Sequence, residues 1–248
     1  MFRLMQLPCG RLVLVLEVLI DLDGSVALNR NQLFFSPDGN FLGVSHGTKV
    51  SIYNLRKISK NSKGTPVAAL YAEVEFEHAI NVIEFDHEWT KLGIGINNGT
   101  DCQFVVWNLA GLTPNAQGVV TPKKVAQKDF EDDQINDISF DRFGELMVTA
   151  MQSQNANVFN VTGLDSAGNA VNASEPDLLA NLPHANASVS KIRFSPDNQK
   201  VVTAANDGNA RLWDVADYAE ANTSSANMIA SGVTLVTTIA LFIASLFY

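Results

Sequence analysis

Side chains with chemical potential are sparse in this chain of 248 residues. The four histidines, His46, His78, His87 and His184, are dispersed, and no HExxH or CxxC spacing is present to hold zinc. A phosphate-cradling GxxxxGK[ST] loop and a GxSxG nucleophile turn are also missing. The run Asp129, Glu131, Asp132, Asp133 offers carboxylates to calcium or to a basic partner. It lacks the alternating oxygen ligands and central glycine of a calcium loop, and reads as a solvated turn before a strand. The densest gathering of reactive types is His184, Thr203, Asp207 and Trp213, around residues 189–215. On paper a base, a hydroxyl and an acid make a relay, but no motif supplies the nucleophile or oxyanion partner of one. Neither enzyme chemistry nor a cofactor is expected.

The elements that position those residues come from a repeat. Residues 189–215 contain three short apolar runs separated by a Ser-Pro-Asp-Asn turn and an Asn-Asp-Gly turn, which predicts a three-strand meander. Weaker copies of the phrase occur three times upstream. Aligned on the Phe that ends each first strand (Phe35, Phe85, Phe140, Phe194), the copies are 50, 55 and 54 residues apart. Segments 67–76, 119–130 and 178–182 could each add a fourth strand, and 12–20 could do so for the first copy. The chain then divides into four units of four strands.

Composition excludes one large class of partner. The net charge of −9 gives no concentrated basic face for a phosphate backbone, so no nucleic acid is expected. Cys9 and Cys102 are too far apart to suggest a disulfide framework, and a reducing compartment is the simpler reading.

Both ends carry apolar runs. Arg3 and Arg11 before the first run superficially suggest a secretory signal, but Glu17 interrupts it and no small-residue cleavage site follows, so a strand is preferred. Residues 216–227 are polar and small, and 228–248 are 21 residues without a charge. As a helix that length spans a bilayer core, at about 1.5 Å per residue, which predicts one transmembrane anchor.

The phrases FSPDG (35–39), FSPDN (194–198) and RLWDV (211–215) resemble those of WD repeats. The resemblance implies an all-β propeller over 11–215, with four recognisable four-stranded blades, a polar linker over 216–227 and the anchor over 228–248. It also implies a structural hydrogen-bonded tetrad: His184, Thr203, Asp207 and Trp213 in the last repeat. The second repeat keeps His78, Asp101 and Trp107, with Asn97 in the Ser/Thr place. The third has Thr149, Ser153 and Phe159, and the first has Gly47 and Tyr53 in the Asp and Trp places. Propellers of 4 to 8 blades close their edges, and WD propellers usually need about seven. Four units therefore leave three readings open: a partial chain, degenerate blades, or self-association of two chains into one ring.

A WD propeller followed by one C-terminal transmembrane helix resembles the endoplasmic-reticulum exchange factors of COPII coat assembly, the prolactin regulatory element-binding protein family. The resemblance implies a protein-binding scaffold in the endoplasmic reticulum membrane, single-pass and facing the cytosol, that acts as a guanine-nucleotide exchange factor on a small GTPase in vesicle-mediated transport. No residue of this chain is assigned to exchange. A different reading comes from five N-x-[ST] sequons, at Asn98, Asn160, Asn172, Asn186 and Asn222, and from small residues before the apolar tail. Those describe a glycosylated lumenal or GPI-anchored binding module.

Overall fold

The computed structural model describes residues 2–6, 12–16, 32–162, 175–184 and 186–218. Each repeat forms strands because its apolar residues alternate along short runs that end in Gly-, Asn- and Asp-containing turns. In chain order the strands are β1 (Phe2–Gln6), β2 (Leu12–Leu16), β3 (Gln32–Phe35), β4 (Phe41–His46), β5 (Lys49–Lys60) and β6 (Pro66–Glu75). They continue with β7 (Ile80–Phe85), β8 (Lys91–Asn98), β9 (Asp101–Asn108), β10 (Lys123–Phe130), β11 (Ile135–Phe140) and β12 (Leu146–Met151). The last are β13 (Asn155–Asn160), β14 (Asp177–Pro183), β15 (Val189–Phe194), β16 (Lys200–Ala205) and β17 (Ala210–Asp214).

These strands make four antiparallel meanders: β3–β6, β7–β10, β11–β14 and β15–β17. The fourth strand of a sheet follows its meander, which corrects the expected grouping. Residues 12–16 do not complete the first sheet: among the described residues β2 pairs with β1 in a separate two-stranded sheet, Phe2 opposite Leu16. The first sheet is completed by β6, because the Asn61–Gly64 turn returns the chain directly beside β5. A tight hairpin makes that pairing local, with little loop entropy lost. Among the described residues the last sheet has three strands.

The sheets stack face to face, and the core lies between them. Val50 and Ile52 of the first sheet meet Ile83, Leu92 and Ile94 of the second. Phe104 and Val106 meet Ile138, Met147 and Phe159 of the third, and Val148 and Val158 meet Ile192 and Val201 of the fourth. One contact recurs. Phe85 lies over Gly43 of the preceding sheet, and Phe140 lies over Gly93. A β-carbon at Gly43 would stand 2.6 Å from the Phe85 ring, and one at Gly93 would stand 2.9 Å from Phe140. Glycine is needed there to admit the ring. At the two ends of the stack Leu33, Phe35, Val202 and Leu212 are exposed.

The expected membrane span falls on residues outside those described, as does all of the linker beyond Tyr218. Among the described residues no helix is long and apolar enough to cross a membrane.

Candidate interaction surface

In the last sheet the register of β16 and β17 sets Val201 opposite Trp213 and Thr203 opposite Arg211. Thr203 and Trp213 are thus diagonal neighbours on one face, within side-chain reach. The Trp213 indole N–H donates to Thr203 Oγ1 at 2.9 Å. His184, just past β14, is buried and within 2.7 Å of the same hydroxyl through Nε2. Its Nδ1 is 3.0 Å from the Leu182 carbonyl. A carbonyl only accepts, so Nδ1 carries the proton, and Nε2 accepts from Thr203. Burial holds the imidazole pKa below its ordinary value, favouring this neutral form.

Asp207 does not join that chain. Its carboxylate accepts from the Arg211 guanidinium and from the Asn209 N–H, and the arginine holds it well below the usual carboxylate range. Arg211 sits across the Asn-Asp-Gly turn and is the nearer cationic donor, so the Leu182 carbonyl takes the place expected for the acid. The arrangement satisfies buried polar atoms and offers no free nucleophile.

The upstream copies are incomplete. In the second sheet Trp107 pairs with Leu92, so the residue diagonal to it is Ile94. Asn97 lies opposite Cys102, three residues beyond the expected Ser/Thr place, and bonds the Ile135 N–H and carbonyl of the next sheet. His78 and Trp107 line one cleft of about 280 Å³, but the indole N–H has no acceptor among the described residues. Asp101 instead accepts from the Asp132 N–H at 3.2 Å. In the third sheet Phe159 pairs with Met147 and leaves the diagonal Thr149 hydroxyl buried without a partner among the described residues. Ser153 there bonds Asp133 of the acidic run. Among the described residues no group of His, Cys, Asp or Glu is placed to hold a metal ion.

What the repeats build in common is a rim of turns. Each first strand ends in Phe and is joined to the second by a five-residue step. In the first sheet Ser36 Oγ donates to Asp38 at 2.6 Å and accepts from the Phe41 N–H at 2.9 Å. Ser195 and Asp197 repeat this network in the fourth sheet, with Lys200 N–H on Ser195 Oγ at 2.9 Å. In the middle sheets one aspartate does both jobs. Asp86 accepts from the N–H groups of Thr90 and Lys91, and Asp141 from those of Glu145 and Leu146. Neighbouring turns are tied together: buried Lys91 reaches the Gly144 carbonyl at 2.7 Å, and the Arg142 N–H donates to Asn198 at 2.9 Å. This rigid rim encloses a cleft of about 470 Å³ lined by Glu84, His87, Arg142 and Asn198 among others.

Below the rim, the inner strands carry a charged cluster that sequence reasoning missed. Asp137 is buried, and its carboxylate takes Arg193 at 2.7 Å, Lys191 at 3.4 Å and the Ile192 N–H at 3.1 Å. Burial pushes the nearby Glu84 carboxyl up to about 7, although Arg193 draws it down. The alternation of charged and apolar residues in INDISF and VSKIRF was the available signal, but only the stacking brings them together.

Residues 177–214 match the family model of the WD domain, G-beta repeat. The match covers β14 to β17 and includes His184, Thr203, Asp207 and Trp213. No curated protein matches the chain. The WD repeat over the last four strands and the four antiparallel sheets together support a WD-repeat family, and the architecture fits a β-propeller.

Proposed function

We propose that this protein is a membrane-tethered WD-repeat scaffold that works by binding other proteins at its turn rim, without chemistry of its own. The WD repeat supports the scaffold role. The observation that carries the rim assignment is the cross-bonding of Asp141, Arg142 and Asn198, which holds loops from different sheets as one preorganised surface. The charge-free stretch 228–248 is the basis for tethering, which raises the effective concentration of partners at the membrane. The narrower reading is exchange-factor action on a small GTPase in ER-to-Golgi transport, from the endoplasmic reticulum membrane and facing the cytosol. It rests on the layout of propeller and tail. The full chain in lipid nanodiscs should speed release of a fluorescent guanine nucleotide from the coat GTPase. An unchanged release rate removes the exchange claim and leaves the scaffold.

One observation favours a second reading. Asn98, at the end of β8, and Asn186, in a turn, are both in sequons and exposed. A glycosylated lumenal or GPI-anchored module predicts a mobility shift on glycosidase treatment of protein from secretory cells, whereas the cytosol-facing reading predicts none.

A further inference from the structure

The four rim turns share one backbone requirement, and one of them meets it at a cost. The fifth residue of each, counted from the Phe, has a positive φ: Gly39 at 68°, Trp89 at 59°, Gly144 at 66° and Asn198 at 60°. Glycine and asparagine enter this region readily, but for a bulky side chain it is a genuine outlier. Held strain of this kind concentrates where a side chain is needed in a particular place. The Trp89 indole is placed with one face stacked on Phe85, centroids 4.0 Å apart and planes within 5°. Phe41 lies 6.3 Å from Trp89, and Tyr71 lies 4.8 Å from Phe41.

These three rings wall a cleft of about 310 Å³ between the first and second sheets, floored by Ile52 and Leu109. Asp38 and Glu88 stand at its mouth, both exposed. Ser36 and the Asn40 N–H hold Asp38 below the usual carboxylate range, so it is ionised at neutral pH. Arg56 is hydrogen-bonded to Asn40 and also draws Asp38 down electrostatically.

We propose that this cleft binds a soft organic cation, the methylated lysine or arginine side chain of a basic partner segment. Aromatic faces attract cations that shed water easily, and the two carboxylates add long-range attraction. The chain's net charge of −9 favours a basic partner in the same sense. The inference rests on the scaffold reading only in that a protein supplies the cation; binding of the isolated side chain is measured without any partner.

The test uses the full chain in detergent micelles, labelled with 5-fluorotryptophan. Trp89 is identified among the three tryptophans by the fluorine signal lost in Trp89→Phe. Four short peptides are titrated, identical except for one residue: lysine, trimethyllysine, arginine, or the neutral tert-butyl isostere of trimethyllysine. The Trp89 signal should shift with trimethyllysine or arginine, and the tighter of the two identifies the partner side chain. The neutral isostere should bind at least tenfold more weakly, and Glu88→Gln should weaken the cationic peptide several-fold. Trp89→Gly suits the backbone but loses the stack on Phe85, so it should fold with a lower thermal transition and show no binding by calorimetric titration. Equal binding of the neutral isostere, or no shift with any peptide, overturns the proposal. Nucleotide release from the GTPase is a separate measurement, so the two failures are distinguishable.

Discussion

Trp107 lies diagonally across the second sheet from Ile94, and its buried indole N–H has no acceptor among the described residues, whereas Trp213 at the matching place in the fourth sheet donates to Thr203. The two sheets share this register, and the diagonal position holds Ile94 in one and Thr203 in the other. A buried donor left unsatisfied costs about 1–3 kcal/mol, so this difference is large enough to measure.

Threonine and valine have nearly the same shape, and a buried valine is ordinarily preferred. At position 94 the order should reverse. Ile94→Thr should be more stable than Ile94→Val by about 1 kcal/mol, because its hydroxyl gives Trp107 an acceptor. Urea denaturation of the two variants compares them directly; a valine variant of equal or greater stability sinks the assignment.

The third sheet gives the converse case. Thr203→Val strips the group shared by His184 and Trp213 and should lower stability by about 1–3 kcal/mol. Thr149→Val removes a buried hydroxyl with no partner and should be neutral or stabilising. Thermal melts of the pair should therefore move in opposite directions, or only the first should fall.

Glu84 and His184 contribute to the pH dependence of stability with opposite signs. The Glu84 carboxyl is raised from 4.5 to about 7 by burial. The folded state therefore binds its proton more tightly, and this contribution is full below about pH 4.5 and is lost as pH rises through 7. His184 is held below 6.5, so its contribution is present above that pH and is lost as pH falls. Glu84→Gln should add about 1–3 kcal/mol at pH 8 and nothing at pH 4.5. The part of the slope that His184 contributes, a loss of stability as pH falls below about 6.5, should disappear when His184→Asn is added. Denaturant titrations at four pH values measure both.

The Phe-over-glycine contact should be intolerant of a single methyl group. Gly43→Ala forces the Phe85 ring off a stack that also holds Trp89, and Gly93→Ala pushes its new methyl into the Phe140 ring. Each should cost about 1–3 kcal/mol by overpacking. Calorimetry showing either variant as stable as the parent would mean that the sheets are spaced more loosely.

By itself the sequence determined the local features of this protein. FSPDG and FSPDN specify turns because serine and aspartate side chains substitute for backbone partners within five residues. The alternating runs specify strands because side chains change face at every residue. The four meanders and a WD-type last repeat were legible for that reason. Tertiary structure decided which neighbour each residue meets. In the first sheet the fourth strand joins the meander before it because the hairpin turn is short. Asn97 misses the Ser/Thr place, and Ile94 fills it, because register across β8 and β9 sets the diagonal. Asp207 chose Arg211 over His184 by proximity across a turn. Nothing in the spacing marks Trp89; stacking against Phe85 and a positive φ made it the wall of a cleft. Each of these depends on distances between segments that no spacing within one segment encodes.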